Sequence, residues 1–139
     1  MTQANVYINF HGNCREAMSF YKECLNGELN LQTIEGSPIE NQCPASMKNQ
    51  IMHSTLTKGG IVIMATDMTG PDGFQQGNNI SVMLNCSSED EINNYFSKLS
   101  EGGKVIDPLG VKFWGGMFGV ITDKFGICWM FHYDKNQNM

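Results

Sequence analysis

Little of this sequence is positively charged, and none of it is continuously apolar. Nine Lys and Arg stand against fourteen Asp and Glu, a formal charge of −5, and the nine are scattered rather than gathered on one helix face or arm. Binding to a phosphate backbone relies on concentrated positive charge, so nucleic acid is not an expected partner. No run approaches the roughly 18 uninterrupted apolar residues of a membrane span, so no membrane partner is expected either. A CxxC pair is also missing. The five cysteines, Cys14, Cys24, Cys43, Cys86 and Cys128, are odd in number and irregular in spacing, which fits reduced thiols better than a disulfide framework. A chain of 139 residues can bury a core without such staples. Met1 to Asn5 has no basic start leading into an apolar segment, so no export signal is read and the cytoplasm is the expected location.

What the chain does have is a grammar written twice. Residues 4–10 alternate, with Val6, Ile8 and Phe10 on one face and Asn5, Tyr7 and Asn9 on the other, the period of a half-buried strand. Asn13 with Glu16 three residues on reads as a capping box, and Ala17, Phe20, Tyr21, Cys24 and Leu25 follow at helical spacing. Gly27 is the expected stop. Three strands are expected next, over 29–35, 51–58 and 61–66, the last two joined by a tight turn at Gly59-Gly60. The stretch 36–50, with Pro38 and Pro44, fits a lid or binding loop and equally a disordered excursion.

Residues 68–77, rich in glycine, read as a linker, after which the order restarts. Ile80, Val82 and Leu84 alternate through 79–85. Ser88 and Glu91 form a second capping box, Ile92, Tyr95, Phe96 and Leu99 an apolar stripe, and Gly102-Gly103 a stop. Strands are expected at 104–106, running on towards Phe113, then at 117–122 and 127–134. The aromatic pair falls seven and eight residues after the cap in both halves, and the closing glycine fourteen after it. Internal repetition of this kind outranks single-segment propensity and predicts an α+β fold of two tandem βαβββ modules, 1–67 and 78–139, in one domain. Two unrelated ferredoxin-like pieces explain the spacing less well.

This arrangement resembles the vicinal oxygen chelate superfamily, which includes glyoxalase I, the bleomycin-resistance proteins and ring-cleaving dioxygenases. The likeness is nearest to the PhnB-like group. It is carried by Tyr7-Ile8-Asn9-Phe10 with Gly12-Asn13-Cys14, by Phe113-Trp114-Gly115, by Val120-Ile121-Thr122-Asp123-Lys124-Phe125-Gly126 and by Trp129-Met130. The resemblance implies a cup-shaped mixed sheet around a cavity, and frequent homodimers. Some PhnB-like proteins bear the name 3-demethylubiquinone 3-methyltransferase. S-adenosylmethionine binding calls for a glycine-rich strand-to-helix turn in a doubly wound sheet, whereas the one glycine cluster here, 115–119, precedes a strand.

Metal-dependent members of that superfamily take ligands from the first and last strand of each module. Matched onto this sequence, the four positions fall on Asn5, Met64, Asn79 and Met130. A catalytic Mg²⁺, Mn²⁺, Fe²⁺ or Zn²⁺ calls for carboxylates and imidazoles, so no metal and no cofactor is expected. Two methionines there read as apolar floor for a pocket, although composition by itself favours gap-filling in the core for the ten methionines. His132 follows Met130 by two and shares its face. His53 shares a polar strand face with Thr55 and Thr57, and His11 sits at a strand-to-helix corner as a turn residue. A histidine on a strand is more often a hydrogen-bonded structural residue than a base, yet its pKa of about 6.5 suits proton transfer; His132 and His53 are the two catalytic candidates. Cys128 reads as a small buried hydrophobe. Phe113, Trp114 and Phe118 offer planar walls for an aromatic or heterocyclic ligand, or else core or dimer contacts.

The expected pocket therefore comprises Asn5, Tyr7, Asn9, Met64, Asn79, Phe113, Trp114, Met130 and His132, holding a small aromatic or amphipathic organic ligand without metal in a homodimeric protein. Two alternatives stand beside it. One is an enzyme, either a metal-dependent lyase, isomerase or dioxygenase with displaced ligands or an acid–base catalyst built on His132. The other is a scaffold acting through protein contacts.

Overall fold

The computed structural model describes residues 2–135. Both halves have the order β-α-β-β-β, and the chain divides into two compact units with the boundary between Gln76 and Gly77. In the first, β1 (Val6–Asn9), α1 (Cys14–Leu25), β2 (Glu28–Thr33), β3 (Ile51–Lys58) and β4 (Ile61–Thr66) form a sheet of spatial order β1-β4-β3-β2 behind one helix. β1 runs parallel to β4 and the other neighbours are antiparallel. The alternation read from the sequence explains which face the helix takes. Ile8, Leu56, Ile63 and Ala65 are buried together with Ala17, Met18, Tyr21 and Leu25 of α1, each large side chain contributing about 1.5–3 kcal/mol when removed from water. Tyr7, next to buried Ile8, is half exposed on the opposite face.

The start of α1 differs from the capping box expected at Asn13. Asn13 makes no side-chain bond to the helix; its Oδ1 accepts from His11 N instead, at 3.2 Å. Asp67, just past β4, holds the helix start from across the module. Its Oδ1 accepts from Gly12 N and Cys14 N, both at 2.9 Å, and its Oδ2 accepts from Ile51 N at 2.9 Å. A carboxylate suits this place, because the first N–H groups of a helix lack internal partners and carry partial positive charge. At the other end Asn26, not Gly27, takes the left-handed conformation (φ 55°). Gly27 is needed for a different reason: a Cβ there would lie 2.8 Å from Thr57 O.

The 36–50 stretch is ordered by two 3-10 turns, Glu40–Gln42 and Ala45–Met47, and by bonds from Ile34 N to Gln50 O and Glu35 N to Lys48 O.

The second unit contains β5 (Ser81–Asn85), α2 (Glu89–Leu99), β6 (Lys104–Val111), β7 (Met117–Thr122) and β8 (Cys128–Tyr133), in the order β5-β8-β7-β6. β5 is parallel to β8. Here the Ser88 N-cap forms: Glu91 N donates to Ser88 Oγ at 3.1 Å, while Glu91 Oε1 reaches one residue beyond the cap of a capping box and accepts from Ser87 N at 3.0 Å. β5 starts two residues later than the alternation predicts, and Ile80, expected on the buried face, is exposed. β6 continues to Val111 with Pro108 inside it, which the sheet edge tolerates because no ladder bond is lost on the solvent side. The core holds Leu84, Ile92, Tyr95, Leu99, Ile121, Trp129 and Phe131.

The Thr-Asp-Lys-Phe-Gly string builds the β7–β8 turn. Buried Asp123 accepts from Phe125 N and Ile127 N through Oδ1 and from Trp129 Nε1 through Oδ2, at 2.8, 3.0 and 2.8 Å, while Gly126 supplies a positive φ of 86°. The aromatic half of that motif is thereby anchored to its acidic half.

Candidate functional site

In each module the sheet face turned away from the helix carries the chemistry-bearing side chains, and strand register decides which of them meet. In the first module Tyr7 on β1 and Thr55 on β3 both lie opposite Met64 on β4, and Asn30 on β2 lies opposite Thr55. His53, two residues from Thr55, shares its face. Its Nδ1 is 3.1 Å from Tyr7 Oη and its Nε2 is 3.2 Å from Thr55 Oγ1. This is a polar face of one phenol, one imidazole, hydroxyls and amides, with the Met64 thioether in the middle.

The second module presents a more apolar face. Met83 on β5 and Val120 on β7 flank Met130 on β8, and one step along, Asn85 and Phe118 flank His132. His132 Nδ1 lies 3.2 Å from Asn85 Oδ1. Trp114 stacks on the His132 ring, 5.3 Å between centroids and 29° between planes, and meets Phe118 edge-on at 6.3 Å. The hairpin makes this possible. Lys112 N donates to Gly116 O at 2.8 Å, Gly115 takes φ 97°, and a Cβ on Gly116 would collide with the Trp114 ring. The glycines that follow Trp114 thus fold its indole back over the strand ends. Gly119 serves the opposite face: a Cβ there would lie 2.6 Å from the Phe96 ring of α2.

Tyr7, Met64 and His53 come together in the first module, and Trp114, Met130 and His132 lie on one face of the second. Asn9 is exposed at the end of β1. Asn5 precedes β1 and Asn79 precedes β5, both exposed and outside the paired register. The repeat explains the displacement. Last strands align at an offset of 66, Met64 with Met130, and their partners Tyr7 and Met83 then align at 76, not at the 74 that equates Asn5 with Asn79. Phe113 is fully exposed on the hairpin. Cys128, expected to be buried, is only partly so, its Sγ 3.9 Å from Thr122 Oγ1. His11 sits at its corner stacked on Phe74 at 5.4 Å. The methionines correct the compositional expectation: among the described residues only Met18 is buried in the core, and the others lie at or near the surface. Met83 and Asn85 were missed as site neighbours, although an offset of 76 pairs Asn85 with Asn9, whereas Thr55 was read beside His53.

The positions matched by register, Tyr7 with Met64 and Met83 with Met130, do not suit a divalent metal. A phenol with a thioether in the first module, and two thioethers in the second, lack the carboxylate and imidazole donors that Mg²⁺, Mn²⁺, Fe²⁺ or Zn²⁺ requires. Among the described residues no three His, Cys, Asp or Glu side chains gather as a metal site. Two of the thiols, Cys14 and Cys86, are poor nucleophiles. Burial pushes the Cys14 thiol up to about 11, against some help from Ser54, and burial with the nearby Glu91 pushes Cys86 up to about 12; the thiolate is the reactive form. A cavity of about 190 Å³ lies elsewhere in the first module, lined by His11, Gly12, Met47, Gln50, Asp67 and Met68.

Residues 3–131 match the family described as 3-demethylubiquinone-9 3-methyltransferase. The chain belongs to this PhnB-like family. A crystal structure of protein PA1353 from Pseudomonas aeruginosa is 39% identical and covers 96% of this chain and 98% of its own, with a TM-score of 0.83. The PhnB protein from Bacillus cereus is 25% identical over 95% and 99% of the two chains, TM-score 0.74. At 12% identity, a glyoxalase/bleomycin resistance protein/dioxygenase family enzyme from Burkholderia phytofirmans, covering 94% and 98%, shares the fold with a TM-score of 0.60. The family's name does not establish methyl transfer. Neither strand-to-helix turn, 10–13 or 86–88, has the glycine-rich sequence that cradles S-adenosylmethionine. No helix of the described residues is long and apolar enough to cross a membrane.

Proposed function

We propose that this PhnB-like protein binds a small aromatic or amphipathic organic molecule without a divalent metal ion. One observation carries the reading: in each module the register-matched first- and last-strand positions include methionine, Tyr7 with Met64 in the first and Met83 with Met130 in the second. Thioethers are polarisable and adapt to irregular ligand shapes. Each module adds one imidazole with a fixed neighbour, His53 beside Tyr7 and Thr55, and His132 beside Asn85 and under Trp114. A few oriented polar groups among apolar and aromatic surface are the usual make-up of a small-molecule site. Trp114, about half exposed on a glycine hinge, is the stacking surface for a planar ring. The protein works in the cytoplasm with reduced cysteines, as a homodimer of two-module chains.

The test is thermal stabilisation by a panel of aromatic compounds against a panel of metals. Stabilisation by aromatic compounds is expected, with Trp114→Ala weakening binding by about two- to tenfold, the loss of one stacking contact of roughly 0.5–1.5 kcal/mol. Stabilisation by micromolar Mn²⁺ or Zn²⁺ and by no organic compound would sink the reading.

A further inference from the structure

We propose that Tyr7, His53 and Thr55 form a proton relay that takes the proton of an ionisable hydroxyl on the bound molecule, which makes phenols and enols the ligand class. The proposal rests on the reading that the helix-free face of the first module holds a small organic ligand. Tyr7 Oη, His53 Nδ1, His53 Nε2 and Thr55 Oγ1 follow one another at hydrogen-bond distance across the imidazole, 3.1 Å on one side and 3.2 Å on the other. The strands hold this chain in place, since Tyr7 and Thr55 come from β1 and β3 and both face Met64 between them.

A histidine with a hydroxyl at each nitrogen is satisfied in either neutral tautomer. With the proton on Nε2, His53 donates to Thr55 and accepts from Tyr7, whose remaining lone pair then accepts from a ligand O–H. With the proton on Nδ1, His53 donates to Tyr7, whose own O–H is then free to donate to a ligand oxygen. A ligand that is a donor when neutral and an acceptor when ionised uses both states. In the transfer, the ligand O–H bond breaks as its proton passes to Tyr7 Oη, and the Tyr7 O–H bond breaks as that proton passes to Nδ1. His53 ends as imidazolium, donating through Nε2 to Thr55, and the ligand ends as an oxyanion accepting from Tyr7. No redox partner is needed. Among hydroxyls, acidic phenols and enols give up a proton to a hydrogen-bonded imidazole most readily. Across β2, His53 faces Gln32 and Thr55 faces Asn30, neutral amides that leave the imidazole free to change charge.

The probe is 4-nitrophenol, whose anion absorbs visible light where the neutral form does not, with 4-nitroanisole as the non-ionisable control; binding is followed by equilibrium dialysis on the full chain. At about pH 7 the bound ratio of phenolate to phenol is expected to exceed the free ratio by at least about threefold, the change given by a shift of half a pKa unit in the bound phenol. Tyr7→Phe removes only a hydroxyl from a half-exposed ring and is expected to abolish that excess. His53→Gln is expected to do the same. Binding with no excess of phenolate, or with the same excess in Tyr7→Phe, overturns the relay while ligand binding stands. If neither compound binds, the ligand-binding reading fails and the relay with it.

Discussion

Replacing Asp67 by alanine and, separately, Asn13 by alanine distinguishes the cap expected from the sequence from the one the fold builds. Asp67 is 5% exposed, and its carboxylate accepts from three backbone N–H groups, Gly12, Cys14 and Ile51, each at 2.9 Å. Alanine leaves three donors in a place that water reaches poorly. An unsatisfied buried donor costs about 1–3 kcal/mol, so the loss is expected at about 3–6 kcal/mol once partial relaxation is allowed for. Against a total stability of about 5–15 kcal/mol this is severe. Asn13→Ala removes a side chain that bonds only the exposed N–H of His11, and a change within about 0.5 kcal/mol is expected. Urea unfolding followed by far-UV circular dichroism measures both, with unchanged m-values required for the comparison. The reasoning is refuted if Asn13→Ala costs the 1 kcal/mol or so typical of a lost N-cap while Asp67→Ala costs less than that.

The glycines separate in the same assay. Gly27→Ala and Gly103→Ala place a methyl against the carbonyls of Thr57 and Thr122 on the neighbouring strand and are expected to cost about 1–3 kcal/mol, whereas Gly60→Ala meets open space and stays within about 0.5 kcal/mol. Cys14 sets a pH dependence. Its thiol is raised from 9.0 to about 11 by burial, so the neutral form contributes stability that is complete below pH 9 and is lost as pH rises towards 11; Cys14→Ser or Cys14→Ala flattens that limb of a chemical-denaturation series, and an unchanged limb counts against it. Alkylation by iodoacetamide at pH 8 is expected to be slower at Cys14 and Cys86 than at Cys43, read by mass spectrometry.

Much of the fold was legible because local patterning and global repetition agreed. The alternation at Val6, Ile8 and Phe10, the stripes of both helices, and the Ser88 N-cap are all short-range facts that a strand or a helix expresses directly. The likeness of Ile61-Val62-Ile63-Met64 to Ile127-Cys128-Trp129-Met130 correctly matched the last strands. The first strands were harder, because the repeat offset there is 76 while the caps are 75 apart, a difference visible only when Tyr7 is seen to pair with Met64 and Met83 with Met130. Side chains alternate with period two, so an error of two residues keeps the correct face and names the wrong neighbour.

The sequence by itself determined two βαβββ modules and the face on which each strand meets its helix. Only the tertiary structure decided that Asp67 rather than Asn13 holds the start of α1, that Trp114 folds back onto His132, and that His53 bridges Tyr7 and Thr55. Each of these joins residues far apart in the chain or turned by a hairpin, and their meeting is fixed by strand register and by where glycine lets the backbone turn. Spacing along the sequence carries the period of an element, but not which of its rungs will stand opposite another.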